Sequence, residues 1–221
     1  MPDSDPDTKS STYQFNEVFR DQLTELIRWR RDVRQFRADP VPGPLLDKLL
    51  DLACLAPSVG NSQPWRFVRV TSSHGRIALL DNFKTANKNA LDGYEDEQAA
   101  LYANLKLSGL QEAPILLAIF TDGSITHGHG LGRQTMPETL DYSTVSAIHT
   151  LWLAARAEGL GVGWVSIIDP VGATQSLDVP ANWRFTALLC IGWSSVTDTV
   201  PELERAGWQA RDTLCRKVLE R

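Results

Sequence analysis

Apolar positions along this chain fall at helical spacing in some stretches and in short continuous runs in others. Phe15, Phe19, Leu23, Leu26 and Ile27 share one helical face behind Asn16, a side chain suited to N-capping, which predicts an amphipathic first helix. That helix delivers the chain to Arg30-Arg31-Asp32-Val33-Arg34. A second helix is expected from about Pro44, a favourable first-turn residue, through Leu45, Leu46, Leu49, Leu50 and Ala53 until Pro57 stops it. Strands are expected at 66–70 and 115–121, with a polar helical region rich in Ala, Glu and Tyr at 92–107 between them. Residues 122–141, rich in glycine and carrying His127 and His129, read as a long irregular loop with solvent-exposed histidines. A buried helix follows at 142–158 through Val145, Ile148, Trp152 and Ala155, closed by Gly159 as a left-handed cap. Strands are then expected at 162–167 and 185–191. The last segment, 201–221, carries Leu203, Trp208, Leu214 and Leu219, too apolar for a free end, and is expected to wrap a partner or the chain's own body. Residues 1–13 are polar and read as a disordered tail. With no repeat and no linker, 14–221 reads as one domain.

Composition narrows the classes. A chain of 221 residues, 43% hydrophobic and 22% charged, can bury a full core, and its net charge of -5 argues against a nucleic-acid binder. No apolar run approaches the roughly 20 residues a bilayer requires. The N-terminus lacks the basic-then-apolar order of a signal peptide, so a cytoplasmic protein is expected. Cys54, Cys190 and Cys215 are odd in number and widely spaced. They read as reduced thiols, Cys54 and Cys190 in the core, rather than as a disulfide or zinc framework.

Three constellations carry candidate chemistry. Arg30, Arg31 and Arg34 form either a basic helix end that suits the macrodipole or an anion site with Asp32 placed inside it. The loop Ala56-Pro57-Ser58-Val59-Gly60-Asn61-Ser62-Gln63-Pro64-Trp65 offers Ser58, Asn61 and Gln63 as donors and acceptors able to read one edge of a flat heterocycle. In Gly159-Leu160-Gly161-Val162-Gly163-Trp164-Val165-Ser166 the small residues either let backbone amides approach a ligand or mark a bend in a strand. These glycines follow a helix and enter a strand, the reverse of a dinucleotide fingerprint.

The three constellations, in this order, resemble the FMN-dependent nitroreductase superfamily over about residues 15–215. Within it the chain is similar to the flavin-consuming branch that makes 5,6-dimethylbenzimidazole, the lower ligand of vitamin B12. That finer likeness rests on Asp32, where other members more often carry Ser, on Trp164-Val165-Ser166, on Met136-Pro137-Glu138 with Asp141-Tyr142-Ser143-Thr144-Val145, and on the stretch 151–159.

The resemblance implies an α+β fold, with a central mixed sheet of four or five strands flanked by helices. It also implies a homodimer that exchanges its C-terminal arm and places two active sites at the interface. Arg30, Arg31 and Arg34 would hold the FMN phosphate, joined by Arg211. Asn61 and Gln63 would meet the pyrimidine edge and Ser58 the ribityl or ring region. Backbone amides near Gly163 and Trp164 would face N5 and O4 of the ring, and Val165 would join the FMN-binding residues. A lid over about 84–108, with the loop 122–141, would cover the site, and Tyr94, Tyr102 and Lys106 are candidates to lie over the ring.

Reduced FMN would then be a substrate rather than a recycled cofactor. With O2 it would be fragmented to 5,6-dimethylbenzimidazole and D-erythrose 4-phosphate. A proton must leave the ribityl C1′, so Asp32 is expected as base or proton relay, or else as a charge partner for Arg31 or Arg34. Ser166 would donate a hydrogen bond to Asp32 or to oxygen at the flavin, or is simply a small strand residue. NAD(P)H would enter indirectly, through a separate NAD(P)H:flavin reductase. The rival readings are an NAD(P)H-dependent nitroreductase or dehalogenase that keeps its FMN intact, and a flavin-binding protein without turnover.

Overall fold

The structure, a computed structural model, describes residues 14–196, 198–212 and 214–221; the tail expected over 1–13 lies outside them. Helices α1 (Glu17–Trp29) and α2 (Gly43–Ala53) lead through a 3-10 turn at Val59–Asn61 to strand β1 (Trp65–Arg69). Helices α3 (Ser73–Leu91) and α4 (Asp96–Ala103) follow, then strand β2 (Ile115–Asp122), helix α5 (Thr139–Ala157), strand β3 (Leu160–Val165), helix α6 (Pro170–Ser176), strand β4 (Trp183–Trp193) and helix α7 (Glu202–Arg205).

Why these segments are helices is visible at their starts. Asn16 Oδ1 accepts from the Phe19 N–H at 2.9 Å, Ser72 Oγ from the Gly75 N–H at 3.1 Å, and the Asp169 carboxylate from the N–H groups of Val171 and Gly172 at 3.0 Å each. Each satisfies an otherwise orphan first-turn donor. Helices α3 and α6 were not anticipated. Only Gly75, Leu79 and Phe83 of α3's 19 residues are buried, a stripe too thin to stand out from its polar sequence. The polar helical stretch expected over 92–107 condenses to α4, and α2 ends at Ala53 instead of running to Pro57.

The sheet has the order β1-β2-β4-β3, and every neighbouring pair is antiparallel. This corrects the expected mixed sheet: among the described residues parallel pairing is reduced to one isolated bridge, Asp32↔Val162. A segment with three charged side chains in four residues has no apolar face from which to extend a strand. The central strands are buried on both faces, and their alternation divides the core. Ile115, Leu117 and Ile119 of β2, with Ala187, Leu189 and Ile191 of β4, face a cluster built on α2 and α5. Leu116, Ala118 and Phe120, with Leu188 and Cys190, face the other side, under α3 and α6. Period-two burial on both faces explains why β2 reads as an unbroken apolar run. Helix α5 is the spine, burying Leu140, Ser143, Thr144, Ala147, Ile148, Leu151 and Ala155. Cys190 is buried as expected, whereas Cys54 is exposed because it falls just beyond the last turn of α2.

Candidate functional site

Glycine decides where the arginine segment runs. Arg30 closes α1, its N–H donating to Leu26 O at 2.9 Å, and the chain then lies against β3, with the Val33 N–H donating to Val162 O at 3.0 Å. A Cβ at Gly163 would stand 2.1 Å from Val33 O, and one at Gly161 would stand 2.8 Å from the Val33 side chain. Strand β3 keeps a regular register with β4, so the glycines do not mark a bend. They make room for the segment that carries Asp32.

That segment lines a cleft of about 470 Å³ together with Lys106, Arg211, Glu202 and Glu204, so Arg30, Arg31, Asp32 and Arg34 all face it. Arg31 donates to Thr199 O at 2.6 Å and to Arg30 O at 2.7 Å, and Arg34 donates to Leu107 O at 2.8 Å. Burial, and then the charges of Arg30 and Arg211, hold the Arg31 guanidinium below its usual range. Cations pressed together in this way favour an anion among them. Five basic and three acidic side chains leave the lining formally at +2, a match for the dianion of a phosphate monoester.

Asp32 is the acid inside this cluster. One carboxylate oxygen pairs with Arg34 and the other accepts the Trp164 N–H at 2.9 Å. Burial pushes its carboxyl above the ordinary carboxylate range, against the opposing pull of Arg34 and the Trp164 amide, and the nearby Glu202 adds to the rise. Its side chain still keeps 37% of its surface open to the cleft. A half-open acid with a raised pKa is suited to taking up a proton.

The other sequence-derived candidates are placed differently. Trp164 commits its backbone N–H to Asp32. Val165, 1% exposed, turns its side chain into the core and leaves only its backbone for a ligand. Ser166 is exposed just beyond β3, and among the described residues no hydrogen bond joins it to Asp32.

Ser58, Asn61 and Gln63 precede β1, at the sheet edge opposite β3, three strand spacings or roughly 14 Å across. Gly60, Asn61 and Gln63 take left-handed φ of 56°, 54° and 51°. This sets the Asn61 and Gln63 side chains outward together, with Gln63 Nε2 3.5 Å from Asn61 Oδ1. Ser58 Oγ accepts the Gln63 N–H at 3.1 Å and Ser143 Oγ accepts the Val59 N–H at 3.0 Å, so both hydroxyls brace the loop. The glycine-rich loop packs on this same edge, where a Cβ at Gly128 would lie 2.4 Å from Gly60 O. Its His127 and His129 are exposed.

Of the expected lid, residues 84–91 belong to the framework helix α3. Tyr94 and Tyr102 pack with tilted rings at 4.9 Å, and both meet Trp208 edge-on at 5.4 and 6.0 Å. Trp208 directly precedes the stretch 209–211 that lines the cleft. Lys106 faces the anion cleft and pairs with Glu112. Sequence reasoning missed Glu202 and Glu204 as part of this lining, since about 170 residues separate them from Arg30 and no local spacing links the two.

Comparison with known proteins agrees with this geometry. The family model described as "Nitroreductase family" matches residues 27–193. A 5,6-dimethylbenzimidazole synthase of Rhodospirillum rubrum is 57% identical over 197 residues, 89% of this chain and 93% of that protein. One of Rhodobacter capsulatus is 52% identical over 88% of this chain and 94% of that protein. Among solved structures, iodotyrosine deiodinase bound to FMN and 3-iodo-L-tyrosine superposes with a TM-score of 0.71 at 22% identity, covering 90% of this chain and 100% of that one.

Proposed function

The chain belongs to the nitroreductase family, and from that premise we propose that it is an FMN enzyme of the synthase kind, fragmenting reduced FMN with O2 to 5,6-dimethylbenzimidazole and D-erythrose 4-phosphate, with the pyrimidine ring released as a separate fragment. The observation that carries the reading is Asp32, a carboxyl with a raised pKa held inside an arginine-lined, phosphate-sized cleft. FMN suits such a site as substrate, because arginines that hold its phosphate would bring the sugar end of the molecule toward Asp32. The flavin, once bound, supplies the electrons and the reactivity toward O2.

The residues of this chain would divide the work. Arg30, Arg31, Arg34 and Arg211 bind the phosphate, with Lys106 beside them. Asp32 takes the proton from the ribityl C1′. The Trp164 N–H and Arg34 hold the Asp32 carboxylate in place and stabilise it once ionised. Ser166, exposed at the end of β3, is left to meet O2 or the ring edge.

One subunit supplies only part of this site. The cleft and the Ser58–Asn61–Gln63 loop lie at opposite sheet edges, and α1 exposes Phe19, Leu23 and Ile27 at 40%, 40% and 52%. In the proposed homodimer, the loop of a second copy reads the pyrimidine edge of a flavin whose phosphate sits in the first. Reduced flavin would come from a separate NAD(P)H:flavin reductase. The three unpaired thiols suit the reducing cytoplasm we assign to it. The test is to mix the protein with FMN, a reductant and O2 and follow the flavin. Loss of flavin absorbance with appearance of 5,6-dimethylbenzimidazole is expected; intact FMN with steady NADPH consumption would overturn the reading. A compact monomer by solution scattering would overturn the shared site.

A further inference from the structure

Three contacts of the anion site converge on the indole of Trp152, a residue of α5 that lines none of the cleft. Its ring lies 5.1 Å from the guanidinium carbon of Arg30. Its Nε1–H donates to the Arg31 carbonyl at 3.3 Å. Its centroid is 6.4 Å from that of Trp164, whose N–H holds Asp32. The rest of the side chain packs on the core cluster over α2 and α5, so its position is fixed from behind.

The hydrogen bonds show what this bracing achieves. The Arg30 carbonyl is taken by the Arg31 side chain and the Arg31 carbonyl by Trp152. The peptides on either side of Arg31 are thereby each held at their carbonyl. Guanidinium side chains carry large rotamer entropy, which a site must overcome each time it closes on an anion. A ring beneath Arg30, attracting its charge, removes part of that cost before the ligand arrives.

We infer that Trp152 is a positioning residue that pre-sets the arginine clamp and thereby gives the site its preference for phosphorylated flavin over riboflavin. The inference rests on the phosphate assignment made under the proposed function, and the same titration separates failure of the one from failure of the other. Full-length wild type, W152F and W152L are titrated with FMN and with riboflavin by flavin fluorescence, and thermal unfolding is recorded for each.

W152F keeps an aromatic ring under Arg30 and loses the N–H, so FMN affinity is expected to fall about fivefold with riboflavin affinity unchanged. W152L loses both contacts, and its FMN affinity should fall about 30-fold. A purely structural role would lower Tm and weaken both ligands equally. An FMN-to-riboflavin ratio that stays at the wild-type value in both variants overturns the inference, whatever the Tm. If wild type itself fails to distinguish the two flavins, the phosphate assignment falls and the positioning role falls with it. Should W152L not fold, W152F alone decides, since the smaller phenyl ring still keeps an aromatic side chain against the core.

Discussion

Asp32→Asn separates the chemistry of this site from its stability. The amide oxygen can still accept the Trp164 N–H, and Arg34 keeps its bond to Leu107 O at 2.8 Å, but the amide NH2 then faces the Arg34 Nη2–H that the second carboxylate oxygen had accepted. What is lost is the charge pairing with Arg34, between side chains 17% and 37% exposed. Solvent screening holds that loss to about 1 kcal/mol, or about 2–4 °C in Tm for a chain of this size. Burial works in the opposite direction, since it raises the Asp32 pKa and the folded state binds the proton more tightly than the unfolded chain. The stability contributed by Asp32 is therefore fully present below the ordinary value of 3.8 and declines as pH rises through the raised folded value. An amide has no such decline, so the Tm of D32N should gain on wild type between acid and neutral pH. Flavin binding should hold or tighten, because a negative charge leaves an anion site. Product formation should fall by about 10²–10⁴-fold, the usual worth of a positioned general base. Thermal scans from pH 3.5 to 7.5 and chromatographic assay of 5,6-dimethylbenzimidazole check both parts. A yield within about threefold of wild type refutes Asp32 as base, and a Tm difference independent of pH refutes the burial argument.

Gly163→Ala sets a Cβ 2.1 Å from Val33 O, a backbone atom that cannot swing away, and should cost at least about 3 kcal/mol by denaturant unfolding; a cost under 1 kcal/mol would show that the arginine segment is not pinned on β3. Ser62 Oγ is buried with no hydrogen-bond partner among the described residues, so Ser62→Ala should be neutral or stabilise by up to about 1 kcal/mol, and clear destabilisation in the same assay would reveal a bond this geometry lacks. In native protein, iodoacetamide should label Cys54 and Cys215 but spare Cys190, whose thiol burial pushes up to about 12, with mass spectrometry of the peptides as the readout.

Much of this architecture is legible in the chain. The Asn16 cap, the apolar runs of β2 and β4 and the left-handed Gly159 are local signals, set by backbone stereochemistry and side-chain period. Helices α3 and α6 escaped because their stability comes from a thin stripe packed on one sheet face and from caps that ordinary polar residues provide. The glycines of β3 were noticed for the right reason, close approach, and the group lying against them is Val33. Sequence can say that a backbone must come near; it does not say whose.

The arginine cluster, the Asn61 and Gln63 loop and the acid at position 32 were determined by the sequence alone, since residue chemistry and order suffice to suggest a phosphate and a flat heterocycle. Only the tertiary structure decided that these two halves lie at opposite sheet edges, that Trp164 spends its N–H on Asp32, and that Trp152 stands behind the arginines. Each of those facts depends on which strand lies beside which. Strand order is fixed by packing both faces of the sheet at once, and no local pattern encodes it.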